Sequence, residues 1–328
     1  MRFSPTFCPQ SWRRVAARTC AAGLCLAAFA GAARGADAPL RVTRKGGVLT
    51  VSAGAQPVFE YQSETSPKKP YVRRLYTPSG VQVLRDAPAD HLHHHALMFA
   101  LAADAVDFWA EGQGTGLQRE KLLAIVEVNP EKAPGRAGLR QDIDWIDPGT
   151  DKALLEERRT VLVLAGSGGP ATLLSWRSQL QVPAGKGATK LTGSHYFGLG
   201  MRFVESMDQN GRFYNSERAE GEIVRGSERL TPARWMAYAA AAEGHRVTIA
   251  VFDHPGNLRH PARMFTMTPP FAYLAATLNL WKEPWELTAS RALDLRYGVA
   301  LWDGETDPAG IESMYRQWVK MAAGGIDR

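Results

Sequence analysis

The sequence predicts an all-β chain, mainly antiparallel, folded as a large β-sandwich with one C-terminal helix. Short runs of strand-forming residues dominate, turn residues punctuate them, and no strand–helix alternation appears. In chain order the clearest strand signals are residues 48–52, 57–61, 96–101, 122–128, 160–164, 173–182, 247–252 and 293–304. Several alternate apolar with polar side chains, as a strand with one solvated face requires. Breaks at 45–47, 77–80, 166–170, 210–211, 255–257 and 303–304 carry Gly, Pro, Asn or Asp, the residues that set turn geometry. One helix closes the chain. Asp307 caps it and Pro308 fits its first turn. Ile311, Met314, Tyr315, Trp318 and Ala322 then recur at helical spacing until Gly324-Gly325 ends it. That apolar stripe reads as a face docked on a sheet. No repeat, low-complexity tract or long linker intervenes, so residues 36–328 read as a single β-sandwich domain.

The charge balance removes one class of partner. The chain carries 39 Lys+Arg against 33 Asp+Glu, but residues 1–35 hold Arg2, Arg13, Arg14, Arg18 and Arg34 and no acid. Beyond them 34 bases face 33 acids, so the basic pI is no argument for nucleic acid. Cys8, Cys20 and Cys25 lie in the same stretch, which leaves the rest without a disulfide or thiolate site. A basic segment to Arg18, an apolar run at 20–33, and Ala33 and Gly35 ahead of Ala36 read as an export leader. Arg13-Arg14 admits a twin-arginine signal, yet Ala16 stands where that signal wants a large apolar residue, so Sec export is the preferred reading. The apolar run falls short of the ~20 residues that span a bilayer. A periplasmic or secreted protein with no membrane span is expected.

Four of the eight histidines fall in the run Asp-His-Leu-His-His-His at 90–95. In an extended segment His91, His93 and His95 share one face, whereas a helix would group His91, His94 and His95. Pro88 and the strand-like run after the cluster favour the extended arrangement. Clustered imidazoles serve a metal site or acid–base work near neutral pH; the alternative is a polar turn whose rings only hydrogen-bond. Crowding is awkward when two rings are protonated, which weighs towards a site. A structural zinc wants four ligands, and the sequence does not reveal the fourth. Just downstream, Asp107 and Glu111 supply carboxylates and Trp109 a ring on which a sugar can stack, although Phe108 and Trp109 equally suit a core.

A second constellation follows the strand signal at 247–252. Asp253, His254, Asn257, Arg259 and His260 crowd a loop leaving a strand end, where binding groups are commonly mounted. An ordinary turn, with Asp253 bonding its own backbone, explains the same residues. Between the two stretches lie His195, Arg202 and Glu205. Alternation places Gly200 and Arg202 on one face, where Arg202 either clamps a carboxylate of the ligand or pairs with Glu205 or Glu217.

These motifs together resemble the PmoA-like family of exported bacterial proteins, over roughly residues 55–320. The likeness rests on Lys69-Pro-Tyr71, the run from Leu75 to Gly80, the histidine motif joined to Asp107-Phe-Trp109, Gly198 with Arg202, and Asp253-His-Pro with Asn257 and Pro261. Leu92 departs from the usual proline, and His95 stands where arginine is common, which removes a permanent cation. The resemblance implies a sugar-related role and a supersandwich like that of sugar mutarotases. Methane oxidation, suggested by the family's label, is discounted because residues 36–328 hold no spanning segment.

Three functions follow as expectations. The first is a carbohydrate-active hydrolase, lyase or epimerase: His91, His93 or His94 with His254 for acid–base work, Asp253 or Glu205 as carboxylate, Arg202, Asn257, His195 and Arg259 holding substrate, and Trp109 as platform. The second uses His91 and His93 to bind a divalent metal. The third is a non-catalytic glycan-binding module. All but the third require the 90–95 stretch to work as a site, and the first requires it to share a cleft with 253–261.

Overall fold

The structure, a computed structural model, describes residues 38–64, 68–128, 135–165 and 171–326. The leader read at 1–35 and the turn read at 166–170 lie outside the described residues. Every strand pairing described is antiparallel, in one ten-stranded sheet, one eight-stranded sheet and a small four-stranded one. This is the all-β architecture expected. The strands run longer than their sequence signals: the signal at 160–164 is the end of Lys152–Leu164, and that at 122–128 the end of Leu117–Val128. Charged residues hide the beginnings of both, on a solvated face in Leu117–Val128 and, in Lys152–Leu164, partly in a buried ion pair.

The two large sheets pack face to face, and the alternation of side chains decides what each strand feeds. On Leu293–Asp303, Leu295, Tyr297, Val299 and Leu301 enter the core between the sheets, together with Leu199, Met201, Met264 and Leu274 from the ten-stranded sheet. Ala300 and Trp302 turn the other way, into a second core with Phe252 and Trp235. The helix Pro308–Ala323 seals that second core through Ile311, Met314, Tyr315, Trp318 and Ala322. Asp307 caps it by accepting from the Gly310 amide at 2.8 Å, and Gly324 stands at its C-cap.

The central core holds an ion pair. Arg159 and Glu157 are both fully buried, 2.8 Å apart. Arg159 also donates to the Pro70 carbonyl, to Gln118 Oε1 and to Tyr61 Oη, while Glu157 accepts from Trp145 Nε1 and Ser178 Oγ. Each charge is thus held by several hydrogen bonds, the condition under which ions tolerate an apolar interior.

The outward face of the ten-stranded sheet positions the site. Through Leu97–Ala100, Gly198–Arg202, Tyr273–Thr277, Arg263–Met267 and Glu228–Pro232, neighbouring strands bring Gly200 opposite Ala275 and Arg202 opposite Tyr273, with Phe265 and Met267 on the same face. Gly200 is required there: a Cβ on it would lie 2.0 Å from Tyr273 Oη and 3.2 Å from Trp109 Cη2.

Candidate functional site

A cleft of about 570 Å³ opens on this face. Its floor is aromatic, with Trp109, Tyr196, Phe265 and Tyr273; the histidines form one wall, and the hairpin tip from Arg225 to Glu228 forms another. Pro269, Pro270 and Phe271 complete the rim.

The histidine wall is neither extended nor helical, which corrects the face expected for His91, His93 and His95. The His91 amide bonds the Pro88 carbonyl and the His94 amide bonds the His91 carbonyl, so two successive turns carry the cluster. They group His91, His93 and His94. His91 and His94 stack at 4.5 Å, and His93 meets His94 edge-on at 4.7 Å. Stacked rings present faces to each other rather than nitrogens to a common point. His91 and His93 meet edge-on at 5.8 Å, and among the described residues no group of three or more His, Cys, Asp or Glu side chains is arranged to hold a metal ion.

Electrostatics separate the three rings. Burial, reinforced by His93, His91 and Arg202, pushes His94 down to about 2. Burial also lowers His93, with Lys69 and His91 adding to it. Both rings are therefore neutral near pH 7. His91 bonds Asp90 at 2.9 Å. His95 leaves the cleft altogether: it bonds Asp86 at 2.8 Å, and its Nε2 faces Glu111 at 3.1 Å, beneath Tyr71. Burial opposes its charge, but those two carboxylates outweigh burial and raise it. Glu111 also pairs with the buried Lys69 at 2.7 Å; against the effect of burial, His95 and Lys69 hold that carboxyl down to about 2. This buried network braces the turn from behind.

Three polar atoms on the floor and wall lack partners: His94 Nδ1, Trp109 Nε1 and Tyr273 Oη, from rings whose centroids stand 5.4–6.1 Å apart. Arg202 lies just below, 1 % exposed, its guanidinium 3.4 Å from the Phe271 ring and its Nη2 3.4 Å from Asp90. Its Nε and Nη1 also lack partners. Arg202 thus pairs with Asp90, not with Glu205 or Glu217, and Phe271 roofs it.

The residues expected to join this wall from 253–261 do not line the cleft. Asp253, 1 % exposed, accepts from Asn257 Nδ2 at 2.7 Å, bonds His260 Nδ1 at 2.7 Å and accepts from the Ala262 amide at 2.8 Å. Asn257 also clasps the Arg296 backbone, His254 faces Trp318 of the helix, and Arg259 donates to the Leu278 and Glu283 carbonyls. These side chains close a turn, so the shared cleft expected for Asp253, His254, Asn257 and Arg259 is corrected. Glu205 is mostly exposed and pairs with Arg85 at 3.2 Å, outside the cleft. Asp253→Asn is expected to lower the melting temperature while leaving cleft-ligand affinity within about twofold, since the lost interactions (about 1–3 kcal/mol) are all within the turn. Thermal melts beside binding titrations check it; a lost affinity with an unchanged melt would overturn the assignment.

Trp109 belongs to the floor, stacked on Phe197 at 5.1 Å and 2 % exposed, so it presents an edge rather than an open platform. His195 bonds Glu228 at 3.1 Å. Glu228, which sequence reasoning passed over, lines the cleft, as do Tyr196 and Tyr273. The available signal for Glu228 was a turn, Gly226-Ser227, delivering Arg225 and Glu228 to a hairpin tip.

A family model described as a family of unknown function, DUF6807, matches residues 48–316. The chain belongs to this family. The PmoA-like resemblance is corrected by that match: the motifs that carried it lie within the DUF6807 span. No curated protein matches the DUF6807 chain. Solved structures similar to it include the α-galactosidase from Lactobacillus brevis, at 7 % identity and TM-score 0.48, covering 85 % of this chain and 42 % of that one. The GH36 α-galactosidase AgaA from Geobacillus stearothermophilus aligns at 12 % identity and TM-score 0.41, over 81 % of this chain and 41 % of its own. A mutarotase candidate, YeaD from Salmonella typhimurium, aligns at 10 % identity and TM-score 0.41, over 81 % and 94 %. The DUF6807 chain thus spans less than half the length of the two α-galactosidases it matches. No helix among its described residues is long and apolar enough to cross a membrane.

Proposed function

We propose that the chain is an exported carbohydrate-active enzyme whose cleft performs proton transfer at the histidine turn. The observation carrying this reading is the pairing of an aromatic floor with three unpartnered polar atoms of mixed character. Trp109 Nε1 only donates, and the His94 and Tyr273 atoms donate or accept according to their protons. A buried polar atom left alone costs about 1–3 kcal/mol, so a ligand gains most where a small side-chain adjustment opens these atoms to the cleft. A sugar fits both features: its hydroxyls donate and accept, and its C–H faces lie on rings.

His93 is the group we assign to the proton. It is half-buried on the cleft wall, and burial keeps it neutral and able to accept at neutral pH. His94 is held too low to share that role and serves as a neutral hydrogen-bonding wall. The test is a panel of glycosides, reducing sugars and polysaccharides at pH 5–8, with wild type beside His93→Ala. Turnover that falls about 10²–10⁴-fold in the variant is expected. Binding without turnover would remove the enzymatic part of the proposal, and neither binding nor turnover would remove all of it.

A further inference from the structure

We infer that the cleft takes an oligosaccharide of two or more units, with a second subsite built by Glu228, His195 and Trp281 at the end opposite the histidine turn. The inference rests on the carbohydrate reading and specifies its substrate class. Distance is the first argument. His94 stands over Tyr273, at 5.4 Å between rings, on the strand Tyr273–Thr277. Glu228 lies two strands further on, across Arg263–Met267, in the strand Glu228–Pro232. Two strand spacings make about 10 Å, more than one sugar ring bridges while meeting both ends. The floor between them stays aromatic, with Phe265 6.1 Å from Tyr273 and 5.4 Å from His195.

Glu228 has the remaining capacity that a ligand group needs. Its Oε1 receives Arg225 Nη2 at 2.6 Å and its Oε2 meets His195 Nε2 at 3.1 Å. A carboxylate offers about four acceptor positions, so each oxygen keeps one for a hydroxyl. Arg225 stands largely in solvent with further donors, so carboxylate and guanidinium together match neighbouring hydroxyls of one ring. Beyond them Trp281 is 38 % exposed, the one tryptophan among the large hydrophobics open to solvent in the described residues, and it stands 5.9 Å from His195. Lys282 Nζ lies over one side of that indole at 4.7 Å, which leaves the other side for a sugar face to rest on, next to the histidine that bonds Glu228. The hairpin tip is also tied across the rim, Ser227 Oγ donating to the Pro269 carbonyl, which fixes Glu228 against the cleft.

The experiment titrates wild type, Glu228→Gln and Trp281→Ala with glucose-, galactose-, xylose- and uronate-based saccharides of one to six units, reading the affinity ratio of each oligomer to its monomer. Wild type should favour the oligomer by about tenfold or more. Either substitution should bring the ratio near one, and because the ratio is internal to each variant, a partial loss of fold does not mimic it. Sugars that bind with no preference for length, or a ratio untouched by both substitutions, would overturn the second subsite while leaving the carbohydrate reading standing. No binding by any saccharide would overturn both.

Discussion

Replacing Arg159 with methionine is expected to destabilise the fold by about 3–5 kcal/mol. The guanidinium is fully buried and provides the only cation within 4.0 Å of Glu157 among the described residues. Its removal strands that carboxylate in the sandwich core with only Trp145 and Ser178 to bond it. It also leaves Gln118 Oε1 and the Pro70 carbonyl without their donors. Converting the pair together, Glu157→Leu with Arg159→Met, should recover part of the loss, because no isolated charge then remains inside. Urea denaturation of wild type and the two variants gives the comparison. A loss below about 1 kcal/mol for the single substitution, the range of a surface pair, would show that the core does not depend on this bridge.

The second large effect is a dependence on acid. His94 is held down to about 2 in the fold, chiefly by burial, whereas an unfolded histidine titrates near 6.5. A lowered folded pKa means that its contribution is fully present above the unfolded value and is lost as pH falls towards the folded one. Below about pH 6.5 the unfolded chain takes up a proton that the folded chain refuses. Stability should therefore fall by up to about 1.4 kcal/mol per pH unit for this ring alone. His93 acts in the same direction. His95 acts oppositely and elsewhere: its folded pKa is raised, so its contribution is complete below about 6.5 and fades only as pH rises through the higher value. The lowered carboxyls, Glu111 among them, matter only below about pH 4.5, and the Asp208 carboxyl, raised by burial, acts in the opposite sense, so a loss of stability between 6.5 and 4.5 reports on the turn. Denaturation at half-unit pH steps should show the slope, and His94→Asn should flatten most of it. An identical slope in the variant would show that the protons go elsewhere.

Much of the fold was legible because alternation and turn chemistry are local. The helix is the plainest case: Asp307, Pro308 and the Ile311-to-Ala322 stripe specify its start, its face and its end without help from the sheet. The hidden parts are those where distant strands decide. Arg159 reads as an ordinary solvated charge until strand pairing places Glu157, Gln118 and Pro70 around it. The site shows the same division. The histidine cluster was visible from composition, but its grouping depended on two turns whose hydrogen bonds no spacing rule reveals. Asp253 looked catalytic because its neighbours are polar; those neighbours turn out to satisfy one another. Glu228 carried no motif and acquires its place only from the strand order that sets it across an aromatic floor from the histidines.

The cleft stands on one sheet, with the floor strands hydrogen-bonded side by side and the hairpin tip laced to Pro269. Its mouth therefore keeps its width without waiting for two bodies to shut on each other. On the proposed reading a guest would meet a main-chain frame already shaped, so the host would surrender little backbone freedom, and complementarity rather than closure would set how tightly it is retained.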